Sequence, residues 1–218
     1  MSKNKMRVMV GSCLTVAALS SLCLTGCGQS VDKPQEQGQY SAENPSSNAI
    51  PEAALDNACK PEVVAEFKSS PMEDRKFQSI SLKLPKTWAS QDAMEGHALV
   101  VAGVGGLVNI MITDTQLTVD ENGESVDTLA KSFLDVFNQS AGLEDIKISR
   151  QEKVKVDGKE ALEVQYTYSL RGLPGRCRFL FFIRSGHFIR VNYSTVERLA
   201  QDFVPMLDKS LSSIKVNI

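Results

Sequence analysis

Five cysteines, two histidines and a cluster of arginines are the residues of this 218-residue sequence that could do chemistry. A cysteine acts as nucleophile or metal ligand through its thiolate, which needs a base or positive neighbour. No histidine is placed by the sequence to activate Cys59 or Cys177. His97 and His187 are the only histidines, and neither has cysteine or carboxylate neighbours at regular ligand spacing, so no catalytic zinc set is present. Cys59 and Cys177 leave two readings open. An exported protein meets an oxidising space, where the two could bridge. A bridge closing about 100 residues stabilises by roughly 4–5 kcal/mol in the chain-entropy model. Alternatively Cys177 is a small buried hydrophobe in phase with Phe179 and Phe181.

The stretch from Val164 to Val196 contains no Asp or Glu but carries Arg171, Arg176, Arg178, Arg184 and Arg190. One reading of such a cluster is a basic patch facing acidic lipid head groups or an acidic partner protein. The competing reading is solvated strand charge that protects sheet edges. Alternation puts Arg176 and Arg178 on one face, and Arg171 and Arg176 flank an expected turn at Gly172-Leu173-Pro174-Gly175. Other signals fall short of a site. Asp120-Glu121-Asn122-Gly123-Glu124 lacks the ligand spacing of a calcium loop. Gly103 to Gly106 precedes a strand and does not match a dinucleotide fingerprint. No G-x-S-x-G nucleophile elbow occurs. Trp88, Tyr166, Tyr168 and Tyr193 read as core and strand packing rather than groove lining. No cofactor is implied.

Composition narrows the class. Hydrophobic residues make up 42% and charged residues 23%, and the formal net charge is −2. This is ordinary globular composition, without the basic footprint of a nucleic-acid binder.

The first residues contain a different signal. Lys3, Lys5 and Arg7 precede an apolar run from Val8 to Leu24, which is diluted by Gly11, Ser12, Ser20 and Ser21. A basic start followed by an apolar core describes an export signal. It is marginal for a span, which needs roughly 20 mostly apolar residues. The run ends in Leu24-Thr25-Gly26-Cys27, which resembles a bacterial lipobox. The resemblance implies diacylglyceryl transfer to the Cys27 sulfur and cleavage after Gly26. Two or three acyl chains give a stable anchor, where one does not. Cleavage removes three basic residues and none of the 26 acids, so the mature chain carries a formal charge of −5. Residues 1–26 are therefore expected to be a signal peptide. Residues 27–62, rich in Gln, Ser, Asn, Pro and Gly with only Tyr40 as aromatic, are expected to form a flexible tether. Pro51 to Ala58 could form a turn or two of helix. Residues 63–218 are expected to be one domain.

Within that domain, Phe77 to Leu84 alternates as a strand stopped by Pro85. Ala98–Ala102 and Leu107–Thr113 form a hairpin across the glycines. Ser125 caps a helix with Val126, Leu129, Phe133, Leu134 and Phe137 on one face. Ile146–Val156 and Ala161–Leu170 join at Asp157-Gly158, and Arg178–Arg184 and His187–Tyr193 join at Ser185-Gly186. Ser194 and Glu197 read as a capping box for a last helix, which Pro205 should kink or restart. The order is β-β-β-α-β-β-β-β-α. Phe179 to Ile183 is apolar on both faces, so both faces should be covered. The fold class is α+β: a mostly antiparallel sheet between helices, an α/β/α sandwich.

This order, the phrase Ile80-Ser-Leu-Lys-Leu-Pro-Lys-Thr-Trp88, the Val156-Asp-Gly-Lys-Glu-Ala161 hairpin and the closing helix resemble PsbP-like and DcrB-like proteins over Phe77 to Val216. The resemblance implies an antiparallel sheet between helices and a non-catalytic role. Family members include photosystem extrinsic subunits and bacterial envelope lipoproteins, and no family metal ligand maps onto this chain. The expected function is a membrane-anchored, non-catalytic envelope lipoprotein that binds or supports another cell-envelope component, with an envelope protein as the expected partner. The alternative is a lipoprotein binding a small molecule or ion for a membrane system. Its place is the cell membrane or outer membrane, with the domain on the extracytoplasmic side.

Overall fold

The computed structural model describes residues 52–93, 98–118, 123–140 and 143–217. The segment around Cys27, His97 and residues 120–122 lie outside the described residues. The chain opens with helices α1 (Glu52–Ala58) and α2 (Pro61–Lys68), followed by strands β1 (Met72–Phe77), β2 (Ile80–Pro85), β3 (Ala89–Ala93), β4 (Ala98–Gly103) and β5 (Val108–Gln116). Helix α3 (Val126–Ser140) comes next, then β6 (Leu143–Val156), β7 (Lys159–Leu170), β8 (Leu173–Arg184) and β9 (His187–Val196), and finally α4 (Glu197–Ser212) and β10 (Lys215–Val216).

Seven strands form one antiparallel sheet in the order β3-β4-β5-β9-β8-β7-β6, and β1-β2-β10 form a small second sheet. Alternation along β8 sends Cys177, Phe179 and Phe181 to one face and Leu180 and Phe182 to the other. The first face is covered by α3 through Ala130, Phe133 and Phe137. The second is covered by α4 through Leu199, Phe203 and Leu207, joined by Ile80, Leu82 and Leu84 of the small sheet and by Val64 of α2. The expected antiparallel α+β sandwich is the observed fold. The two helices are offset. α3 crosses β6, β7 and β8, whereas α4 crosses β5, β8 and β9 and packs on β2.

Several local expectations hold. Ser125 Oγ accepts from the Thr128 amide at 3.1 Å and caps α3. Asp157-Gly158 and Ser185-Gly186 have positive φ at both positions, as a two-residue hairpin turn requires. Trp88, Tyr166 and Tyr193 are buried.

Others differ. The expected turn at residues 172–175 is the pair Arg171-Gly172, with φ of 52° and 79°, and β8 starts at Leu173. The Ser194–Glu197 capping box does not form. Ser194 lies in β9, Val196 is the N-cap without a side-chain bond, and Glu197 is taken by Arg176. Helix α4 runs unbroken through Pro205, whose exposed position leaves the freed Gln201 carbonyl to water. Five strands, not three, precede α3, because Met72–Phe77 and Ala89–Ala93 carry too few apolar residues to show alternation. The end of the segment read as tether is packed. α1 buries Leu55 and Ala58, spaced three apart on one helical face, and α2 buries Val64.

Candidate functional site

The five arginines do not form one patch. Arg176 and Arg178 do share a face of β8, the α4 side. Register across the sheet places Lys147, Thr167 and Arg176 in one row, Arg150, Gln165, Arg178 and Tyr193 in the next, and Glu152, Glu163 and Leu180 in a third. Arg184 lies on the same side but six residues beyond Arg178, roughly 20 Å away at strand rise. There it donates to the Ile183 carbonyl at 2.6 Å and lies over the Phe182 ring at 5.4 Å. Arg190 is on the opposite face, where it donates to Thr113 Oγ1 at 2.7 Å and stacks on Phe133 of α3 at 4.0 Å. Arg171 is half-buried in its turn.

Acids from just outside the acid-free stretch answer these cations. Arg176 grips the Glu197 carboxylate with two nitrogens, Nε at 2.9 Å from Oε2 and Nη2 against Oε1. Arg178 is the centre of a deeper network. Its Nη2 donates to Glu163 Oε2 and its Nη1 to Asp208 Oδ1 at 2.6 Å. Tyr193 donates its hydroxyl to the same Asp208 oxygen at 3.0 Å, and Gln165 Nε2 donates to Glu163 Oε1 at 2.6 Å. The Glu163 side chain is only 1% exposed. Burial pulls the Arg178 guanidinium down, and its two carboxylate partners more than offset that, so it stays charged. Burial pushes the Tyr193 hydroxyl up, and the Asp208 charge adds to the shift. The network ties α4 to the sheet. Apart from the buried Arg178 Nε, which has no hydrogen-bond partner among the described residues, its groups are spent on one another, which is the arrangement of a structural tie.

The two cysteines sit on opposite faces of the seven-stranded sheet and are unbonded. Cys59, half-buried, packs against the α4-side core, and Cys177 is in the α3-side core. Of the two readings left open for these cysteines, the geometry fits the buried-hydrophobe reading of Cys177, with a sheet between the two sulfurs. Burial pushes the Cys177 thiol up to about 12, so it is not a nucleophile at neutral pH.

One constellation was not legible in the sequence. Asp114 of β5, 1% exposed, accepts from His187 Nδ1 at 2.7 Å, from the Ser79 amide at 3.2 Å and from the Ser79 hydroxyl. Serine, histidine and aspartate are all present, but the wiring differs from a nucleophilic triad. Catalysis needs the serine hydroxyl on the histidine and the histidine on the aspartate. Here both partners point at the aspartate, so nothing removes the serine proton. The cluster clasps the β1–β2 turn to the ends of the interior strands β5 and β9 of the large sheet. No spacing signal could have revealed it, because the three residues come from three distant elements.

An open groove of about 560 Å³ runs between α2 and α4, with Cys59, Val64 and Ala65 in its lining and the Lys68–Asp202 ion pair among its polar residues. Among the described residues no group of His, Cys, Asp and Glu side chains is placed to hold a metal ion, and no helix is long and apolar enough to cross a membrane.

No protein-family model and no curated protein sequence matches this chain. Solved structures do. The chain is similar to CyanoP, the cyanobacterial PsbP of Synechocystis sp. PCC 6803, with 15% identity over 68% of this chain and 93% of that one and a TM-score of 0.51. It is also similar to the Ran-binding protein Mog1p of Saccharomyces cerevisiae, with 5% identity over 68% of this chain and 96% of that one and a TM-score of 0.50. The fold is PsbP-like.

Proposed function

We propose that this chain is a membrane-anchored, non-catalytic accessory lipoprotein of the cell envelope that docks on another envelope protein. The observation that carries the anchor is the order of Lys3, Lys5 and Arg7, the apolar run and Leu24-Thr25-Gly26-Cys27. The accessory role is supported by the use to which the domain puts its reactive groups. Glu163, Asp208 and Asp114 are consumed in structural ties, and the Cys177 thiol is held protonated. A fold that Mog1p, a Ran-binding protein, also adopts is compatible with work done by surface rather than by a reactive centre.

The docking surface in this reading is the part of the α4-side face that α4 does not cross, the outer rows on β6 and β7. Lys147, Arg150 and Thr167 are exposed there, with the Arg176–Glu197 pair beside them. Exposed ion pairs contribute about 0–1 kcal/mol, so Arg176 can exchange Glu197, and Arg150 can exchange Glu152, for a partner's carboxylate at little cost, although Arg150 also lies 3.8 Å from the buried Glu163. Arg178 is held in the Glu163 network, Arg184 is half-buried at the far end of β8, and Arg190 is on the other face.

The test is metabolic labelling of the full chain with a fatty-acid probe, followed by in-cell crosslinking from the domain. Label and membrane fractionation should both vanish in Cys27→Ser. A single envelope crosslink should fade in Lys147→Glu/Arg150→Glu while labelling persists. A Cys27→Ser chain that still labels and fractionates with membranes removes the anchor, and a crosslink indifferent to the double reversal removes the surface.

A further inference from the structure

The seven-stranded sheet ends in two edges of opposite character. At one end β6 is long, carries Lys147, Arg150, Lys153 and Lys155, and breaks register twice, between Glu144 and Lys147 and between Ile148 and Arg150. Lysines and bulges are the devices by which natural sheets prevent edge-to-edge pairing. At the other end β3, Ala89-Ser-Gln-Asp-Ala93, has neither. Its register with β4 runs without a shift from Ala89 opposite Ala102 to Ala93 opposite Ala98, and it holds no lysine, no proline and no glycine. Among the described residues no strand pairs with its outer side, and Ala89, Ser90, Gln91 and Asp92 are all exposed. An open strand edge of this kind presents unpaired N–H and C=O groups to any extended chain of matching pattern.

The pattern matches itself. We propose that the chain self-associates through β3, two copies pairing their Ala89–Ala93 strands antiparallel about a two-fold axis at Gln91. In that register Gln91 meets Gln91, Ser90 meets Asp92 of the second copy, and Asp92 meets its Ser90. Each serine hydroxyl faces a carboxylate that can accept from it, and no like charges are opposed. Pairing with β4 places Ser90 and Asp92 on the α4 side of the sheet, so both complementary contacts fall on one face. The interface is isologous and closes at two copies. The joined sheet then ends in β6 at both sides, and β6 is guarded, so pairing does not continue into a fibre. A five-residue strand buries little area, so the dimer is weak in dilute solution. It strengthens where copies are held near one another. The inference stands on the edge geometry and does not depend on the anchor.

The experiment measures self-association of the purified full chain in detergent by sedimentation, with charge-sign variants at an exposed position. Ser90→Asp opposes two aspartates twice in each dimer and should weaken association about tenfold. Ser90→Lys creates two opposite-charge pairs and should strengthen it several-fold. Ser90→Asp/Asp92→Lys turns both like-charge pairs into opposite-charge pairs and should recover association to at least the wild-type level, while Ile148→Lys on β6 should change nothing. Gln91→Cys should crosslink to itself under mild oxidation, because directly opposed strand residues lie within disulfide reach. Unchanged melting temperatures confirm that the variants fold. A chain monomeric at every concentration, or Ser90→Asp and Ser90→Lys shifting association in the same direction, or a double variant that does not recover, overturns the pairing and leaves this edge to a strand of another protein.

Discussion

Arg178 joins Glu163 across the β7–β8 ladder and Asp208 on α4 at once, so one guanidinium staples the last helix to the sheet. The geometry is demanding because Glu163 is almost wholly excluded from water. Removing one member of a buried pair costs about 3–5 kcal/mol, since the other charge is stranded. Arg178→Ala should therefore lower the urea midpoint severely. Arg176→Ala removes an exposed pair on the same strand face and should cost at most about 1 kcal/mol. Equal losses in the two variants would contradict the division between interior and surface arginines.

That division marks the limit of what the sequence made legible. The alternation that put Arg176 and Arg178 on one face was readable, because side-chain period in a strand is fixed. The patch was not, for two reasons. Counting acids inside Val164–Val196 ignores Glu163 and Glu197, which border the stretch, and Asp208, further along the helix that Glu197 begins. A strand also distributes charge between two faces and along its own length, which separates Arg190 and Arg184 from the other two. The sheet's core, the α3 cap at Ser125 and the tight turns were legible because each rests on local pattern. The Asp114 clasp and the packing of α1 and α2 depend on contacts between distant segments, which no local pattern records.

The thiols should behave as two separate groups. Unfolding the protein without reductant should release Cys59 and Cys177 as free thiols to a chromogenic disulfide reagent. In the native state Cys59, half-buried, should react alone. Native protection of Cys177 follows from burial and from a thiol held near 12. A non-reduced sample yielding neither thiol after unfolding would restore the bridge.

The same burial gives a signed pH dependence. Cys177 stays protonated in the fold up to about 12, against 9.0 for the ordinary thiol. The unfolded chain therefore loses this proton first as pH rises, and stability is full below pH 9 and declines above it. Tyr168 and Tyr193 are raised from 10.0 by burial and add to the loss only at higher pH. Wild-type stability should begin to fall near pH 9, and that of Cys177→Ala nearer pH 10. Coincident onsets in denaturant titrations at pH 8, 9 and 10 would remove Cys177 as the source.

Gly103 is required by a ring rather than by a turn. A Cβ there would sit 2.7 Å from Trp88 Cδ2, well inside van der Waals contact. Trp88 cannot retreat easily, because it packs edge-on against Phe67 and Phe203 and donates its indole N–H to the Phe67 carbonyl at 3.2 Å. Gly103→Ala should destabilise by about 1–3 kcal/mol, the usual cost of overpacking. A Trp88→Leu background frees the space, so the same substitution should cost less there. Additive losses in the double variant would show that the ring is not the obstacle.

Asp114 holds two sheets together with one carboxylate. It accepts from Ser79, in the β1–β2 turn, and from His187, at the start of β9, while the Asn217 amide donates to the Ser79 carbonyl at 2.7 Å from beyond β10. Hydrogen bonds to a charged group contribute about 1.5–3 kcal/mol. Asp114→Asn keeps the shape and loses the charge, and should lower stability by about that amount. The loss should be local before it is global: the Asn217 amide should exchange with solvent faster, while amides at the centre of β8 keep their protection. Within the large sheet this carboxylate links only the end of the β5–β9 pair, through His187, so the rest of the ladder should survive the opening of the small sheet. Uniform acceleration across both sheets would mean that the clasp belongs to the global core instead, and that the two sheets unfold as one unit.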